Sequence, residues 1–264
     1  MHLKSGRVNV IGILPGGVVT QKRTADVRLD ETGNFVRDPA VDLVKVAVVE
    51  RHQSTGNVAT AFLQGYGIRS GAVALSIAHD SHNIIVVGVN DDEMAFAVEQ
   101  LRQQEGGIVL VKDGQVLASM PMPIAGLMSD QSGEWVDEKL KEIHEKAHTV
   151  LGVNADVEPV MTLCFMSLAV IPEVKLTDMG LFDAVSYTHL DVYKRQALEG
   201  VAVAGRVRRR QRQRNAMYLG LRVGNATDRH IGARVRVVAH GVGLLGQLAI
   251  DDGIAVSYTH LGCR

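Results

Sequence analysis

Gly71-Ala-Val-Ala-Leu-Ser-Ile77 is followed by Ala78-His-Asp-Ser-His-Asn83 and then by Ile84-Ile-Val-Val-Gly-Val89. The outer runs are β-branched or small apolar residues and read as buried strands. His79, Asp80, Ser81, His82 and Asn83 are therefore held at the end of a sheet, where loops placed by a rigid scaffold tend to carry function. Two imidazoles, a carboxylate, a hydroxyl and an amide can bind a metal, move a proton or orient a polar ligand. A polar turn closed by its own Asx or His hydrogen bonds uses the same residue types. Chemistry alone leaves these two readings level.

A second polar cluster has the same placement. Leu43-Val-Lys-Val-Ala-Val-Val49 reads as a buried strand and runs directly into Glu50, Arg51 and His52. Ser54-Thr55-Gly56-Asn57 then supplies a turn or a helix cap. An Arg beside a carboxylate is most often a structural ion pair. Position at a strand end beside the first cluster favours a functional role.

Outward from these clusters, Val8–Ile13 reads as a strand closed by the turn Leu14-Pro-Gly-Gly17, with residues 17–20 extended. Residues 28–40 read as a polar connector or hairpin, and Val58–Tyr66 as a short helix or strand. Asn90, Asp91 and Asp92 are N-cap candidates for a helix over 91–104, whose apolar face carries Met94, Val98 and Leu101. Asp113-Gly114 predicts a tight hairpin turn between 108–112 and 115–118. Pro121 and Pro123 exclude a regular central strand from the apolar loop 120–128. Val136, Leu140, Ile143, Ala147 and Val150 stripe a second helix over 134–151. Met161–Val170 reads as a buried segment, Ile171-Pro172 closes it, and Leu176–Phe182 makes a final turn. The expected fold class is α/β, a mixed sheet with flanking helices.

Bulk properties narrow the function classes. The 264 residues are 46% hydrophobic and 22% charged, as in a globular chain of one or two domains. No apolar run is long enough for a membrane span, and no secretory leader pattern opens the chain. Cys164 and Cys263 form no CxxC pair, so a reducing compartment, the cytoplasm, is expected. Charge is split along the chain. Residues 1–183 carry 15 Lys/Arg and 24 Asp/Glu, whereas residues 184–264 carry 13 and 5. Such asymmetry questions whether the chain has one origin.

His144-Glu-Lys-Ala-His148 matches HExxH, in which two His one helical turn apart bind Zn²⁺ and Glu145 serves as base. Both histidines flank the core stripe of an ordinary amphipathic helix, and no third ligand is evident downstream. A zinc hydrolase using His144, Glu145 and His148 is the alternative enzyme reading.

Several stretches in one order carry a family resemblance over residues 1–183. They are Ile11-Gly-Ile-Leu-Pro-Gly-Gly-Val-Val-Thr20, Lys45-Val-Ala-Val-Val-Glu-Arg-His52 with Thr55-Gly56, and Ala78–Asn90. Pro123-Ile-Ala-Gly-Leu-Met-Ser129 and Pro172-Glu-Val-Lys-Leu-Thr-Asp178 complete the set. The chain resembles the C-terminal domain of bacterial adenine deaminases of the amidohydrolase superfamily. The resemblance implies hydrolysis of adenine to hypoxanthine and ammonia by a metal-bound hydroxide, in purine catabolism. It implies a divalent metal, Mn or Fe, whose ligands lie mostly in an upstream barrel opened by an His-x-His motif. None of the ten histidines here lies two from another, so no metal ligands are assigned, and Met1 is expected to be an internal start. A homo-oligomer is implied for the full-length form, and adenine is the expected partner. The resemblance points to His79, Asp80 and His82 as catalytic, with Glu50, Arg51, His52, Ser81 and Asn83 binding substrate.

Residues 184–264 read as a non-native, disordered or irregular tail. Ala184-Val-Ser-Tyr-Thr-His-Leu190 recurs as Ala255–Leu261, and the longer string through Gln196 resembles a translated cloning adapter. The intervening 197–254, with its Arg206–Arg214 cluster, resembles a wrong-frame translation. A basic arm on nucleic acid is the alternative, but Tyr218 is the only aromatic there to stack a base. No nucleic-acid partner and no membrane association are expected.

Overall fold

The computed structural model describes residues 1–191, 247–250 and 254–257. In chain order the first ten strands are β1 (Arg7–Ile13), β2 (Thr20–Asp26), β3 (Arg28–Leu29), β4 (Phe35–Val36), β5 (Val44–Val49), β6 (Val58–Gln64), β7 (Ala72–Leu75), β8 (Ile84–Gly88), β9 (Gly107–Lys112) and β10 (Gln115–Pro121). Eight of them form one sheet in the order β10-β9-β7-β8-β5-β6-β1-β2, while β3 and β4 pair as a separate hairpin. Neighbours in the sheet are antiparallel except β1 and β6, which run parallel.

The apolar runs are continuous because both faces of the sheet are covered. One face presents Ala47, Ala72, Ala74, Ile84, Val86, Val109 and Val111 to Met94, Ala97, Val98 and Leu101 of α1 (Asp91–Gln103). The small residues let α1 approach closely. A Cβ on Gly88 would lie 2.6 Å from Met94 Cγ and 2.8 Å from Ala72 Cβ. The alternate residues Val46, Val48, Val73, Leu75, Ile85, Val87, Ile108 and Leu110 pack with Ile143 and Ala147 of α2 (Gly133–Thr149), and with Leu151–Met166. The two helices are capped as their sequences allow. Asn90 Oδ1 accepts from Glu93 N at 2.8 Å and Ser132 Oγ from Trp135 N at 3.3 Å.

The mixed α/β class, both helices and the hairpin at Asp113-Gly114 agree with the sequence reading. Val58–Gln64 resolves as a strand, and the 28–40 connector as the β3–β4 hairpin. Three details differ. β2 extends through Gln21-Lys-Arg-Thr-Ala-Asp26, which as an edge strand shows no apolar alternation. β10 continues into Pro121, tolerated because β10 is the opposite edge. Met161–Val170 is only partly buried: α3 (Met161–Cys164) inserts Leu163 and Cys164 but leaves Met161 and Val170 exposed.

A three-stranded sheet of β11 (Val174–Thr177), β12 (Gly180–Asp183) and β13 (Thr188–Asp191) stands where a final turn was expected. Within the tail, β14 (Gln247–Ile250) and β15 (Ile254–Ser257) form a hairpin belonging to a second unit, Val207–Arg264, apart from Met1–Arg206. The Arg206–Arg214 cluster and most of 197–254 lie outside the described residues. Among the described residues, no helix is long and apolar enough to cross a membrane.

Candidate functional site

Strand register decides which loops meet. Val49 pairs with both Val58 and Ile84, Leu75 with Ile85 and Ile108, and Gly107 with Pro121. Loops 50–57, 76–83 and 122–128 therefore leave the sheet at one end.

Arg51 joins all three. Its Nε donates to the His82 carbonyl at 2.6 Å, its Nη2 to the Ala125 carbonyl at 2.9 Å, and its backbone N to Asn83 Oδ1 at 3.3 Å. The side chain is half-buried, and burial lowers its pKa from the ordinary value. The close fit requires glycine at 126, where φ is +74° and a Cβ would lie 2.9 Å from Arg51 Nη1. Beneath it, buried Ser76 Oγ donates to the Gly126 carbonyl at 2.5 Å and accepts from Gly107 N at 2.8 Å. Asn83 is buried as well.

Glu50 behaves differently from its neighbour. Its carboxylate accepts from the backbone N of His52, Gln53 and Thr55 and from Thr55 Oγ1, all within 2.9 Å. Burial pushes its pKa up, but these four hydrogen bonds outweigh it and hold the group below its usual range. Glu50 thus organises its own loop, and no ion pair joins it to Arg51 among the described residues. His52 Nε2 lies 2.6 Å from the Ser81 carbonyl, so it is the protonated ring nitrogen there.

The histidines form a small stack. His79 donates its backbone N to the Cys164 carbonyl at 2.9 Å, and its ring centroid lies 4.8 Å from Phe165 and 5.3 Å from His82. His82 has φ +51°. Its Nδ1 is shut from solvent without a hydrogen-bond partner among the described residues. Burial, then the charges of His79 and Arg51, lower the His82 pKa below 6.5. At pH 7 its imidazole is mainly neutral, able to accept a proton and return it. Asp80 and Ser81 stand exposed at the loop tip.

The eight residues to which the resemblance pointed thus meet at one sheet end, in two classes. Glu50, Arg51, His52 and Asn83 hold loops, whereas His79, Asp80, Ser81 and His82 present chemistry. Sequence reasoning missed Ser76, Phe165 and the Ala125–Gly126 carbonyls. The available signal was a lone hydroxyl ending an apolar strand and a glycine beside a proline-rich run.

Among the described residues no group of three His, Cys, Asp or Glu is placed to hold a metal ion. The HExxH match does not make one. His144 Nε2 lies 2.6 Å from Glu158 Oε1, His148 Nδ1 lies 3.2 Å from the Val153 carbonyl, and Glu145 is exposed. Among the described residues, two concavities of about 830 and 370 Å³ are lined by none of the eight residues at 50–52 and 79–83; His148 lines the larger and Glu158 the smaller.

Residues 17–188 match the adenine deaminase C-terminal domain family. Adenine deaminase 2 of Desulfotalea psychrophila is 66% identical over 192 residues, 73% of this chain and 33% of that protein. Adenine deaminase of Ligilactobacillus salivarius is 50% identical over 183 residues, 69% and 32% of the two chains. That of Nitratidesulfovibrio vulgaris strain DP4 is 48% identical over 192 residues, 73% and 33%. The chain thus spans about a third of the length of these relatives. The three loops that Arg51 joins lie within the matched region, and the chain belongs to the adenine deaminase C-terminal domain family.

Proposed function

We propose that residues 1–183 supply one wall of a purine site in an enzyme that hydrolyses adenine to hypoxanthine and ammonia. The observation that carries this reading is the convergence of the stretches 45–52, 78–90 and 123–129 at one open sheet end. Stretches far apart in sequence are brought together around exposed acid–base groups, and the family's named members are adenine deaminases. In the net reaction water adds at C6 of the purine, the C6–amine bond breaks, and the amine leaves as ammonia after gaining a proton. His82 and Asp80 are suited to pass that proton, and His79 to orient the ring. Ser81 and the loop backbone would hydrogen-bond purine nitrogens. Arg51, Glu50, His52 and Asn83 bind indirectly, by fixing the loops.

The described residues do not gather a ligand set for Mn or Fe, so no step is routed through a metal here. The reading carries with it a cytoplasmic, homo-oligomeric enzyme of purine catabolism. The tail beyond residue 183 is assigned no part in it. We read that tail as adapter-derived, which sequencing of the source DNA across codons 178–200 would test.

The functional test is a hybrid in which residues 1–183 replace the matching third of the Desulfotalea psychrophila relative. The hybrid should release ammonia from adenine. Asp80→Asn and His82→Asn should each lower kcat/KM by roughly 10²–10⁴-fold, the range of general acid–base catalysis. A folded, active hybrid indifferent to both substitutions would sink the assignment.

A further inference from the structure

The larger concavity, about 830 Å³, lies at the other end of the sheet. Arg37 and residues 39–42 ahead of β5, 67–69 between β6 and β7, and 148–155 at and beyond the end of α2 line it. This volume falls within the roughly 300–1,000 Å³ range of small-molecule sites.

Its charged groups are unequally engaged. The one lining carboxylate, Asp42, accepts from Gly65 N through Oδ2 and from Gly67 N through Oδ1, both at 3.0 Å. Nearby Asp38 accepts from Ala40 N at 2.9 Å. Neither carboxylate pairs with a lining arginine among the described residues. Arg37 donates from Nη2 to the Ile68 carbonyl at 3.2 Å, while its Nε is shut from solvent without a partner. Arg69 is exposed, and its guanidinium makes no hydrogen bond or ion pair among the described residues. Its stem lies against Gly152, where φ is +77° and a Cβ would stand 3.1 Å from Arg69 Cγ. The Arg69 backbone is pinned to the Leu151 carbonyl at 2.8 Å. Among the described residues Arg69 therefore brings to the concavity a guanidinium with no acceptor, on backbone held at Leu151, while Arg37 lines it with Nη2 bonded to the Ile68 carbonyl and Nε shut from solvent.

We propose that this cleft binds a phosphate group through Arg37 and Arg69. Guanidinium is planar, permanently charged and weakly hydrated, and its fork matches phosphate oxygens. The shared chemistry is the phosphate, whether free or carried on a molecule of nucleotide size. The site does not depend on the deaminase reading.

The test is calorimetric titration of the full 264-residue chain in a low-salt, phosphate-free buffer, with inorganic phosphate, AMP and adenosine as probes. Phosphate-bearing probes should bind saturably and adenosine should not. Saturation by phosphate alone identifies a free-anion site, and saturation by AMP as well identifies a phosphomonoester site. Arg69→Gln, at an exposed position, should leave the unliganded melting temperature unchanged and weaken binding about tenfold. Arg37→Lys keeps the charge but loses the fork, and should weaken binding similarly. The proposal is overturned by no saturable binding of either phosphate probe, by affinities unmoved in both variants, or by adenosine binding as tightly as AMP.

Discussion

The two ends of the central sheet treat their cations in opposite ways. At the end carrying His79 and His82, the Arg51 guanidinium donates to two loop carbonyls and so converts three loops into one surface. At the other end, Arg37 leaves Nε without a partner, and Lys175 is fully buried with one acceptor, the Val18 carbonyl at 2.8 Å. The comparison separates two uses of positive charge. A cation whose donors are matched by carbonyls is structural cement, whereas a cation with unmatched donors is either a binding group or a cost to stability.

The contrast can be broken most forcefully beneath Arg51. Ser76→Ala removes the partner of both the Gly107 N–H and the Gly126 carbonyl, two buried backbone groups. It should destabilise by about 3 kcal/mol in urea unfolding, given roughly 1–3 kcal/mol for each unsatisfied buried group. A loss below about 1 kcal/mol would mean that Ser76 is not the support the geometry describes.

Lys175 tests the opposite end with the opposite sign. Burial pushes its pKa down to about 8 from 10.5. The unfolded chain therefore binds more protons between these values, and stability rises as pH climbs through that window. The stabilisation is complete above 10.5 and lost as pH falls through about 8. Lys175→Met should accordingly stabilise by about 2 kcal/mol at pH 7, with the gain vanishing above the ordinary lysine pKa. A destabilised variant at pH 7 would show that the bond to Val18 outweighs the buried charge.

Gly126→Ala sharpens the site end. It places a Cβ 2.9 Å from the Arg51 guanidinium at φ +74°, and should cost about 1–2 kcal/mol. Hydrogen exchange should quicken in loops 78–83 and 122–128 together. Quickening in one loop alone would contradict the strut.

The smallest effect is electrostatic. Arg51→Gln removes one of the charges that lower the His82 pKa, so the imidazole resonances of His82 should titrate higher, nearer 6.5. In the wild type the depressed value means that stability from His82 is complete above 6.5 and is lost as pH falls through the folded value. An unchanged titration would mean that the Arg51 charge has no part in it, leaving burial and the His79 charge.

These contrasts were unevenly legible in the chain. The strands at 44–49, 72–75 and 84–88 were readable because their apolar runs are long, and the helices because their apolar residues recur at 3–4 spacing with caps. β2 was not, since an edge strand with exposed side chains has no apolar face to repeat. The polar clusters at 50–52 and 79–83 were visible as polar residues ending buried strands. The partner of Arg51 was not, because the adjacent Glu50 was the expected ion-pair candidate and the true acceptors are backbone carbonyls remote in sequence.

The sequence by itself determined the α/β class, most element boundaries, the family and the residues worth testing. Those follow from local periodicity, turn chemistry and ordered motifs, which need no knowledge of what packs against what. Only the tertiary structure decided that Glu50 organises its own loop while Arg51 bridges three, and that two arginines distant in sequence share one cleft. Such roles depend on which donors and acceptors remain unmatched after the sheet assembles, a property of strand order and register rather than of any stretch of chain.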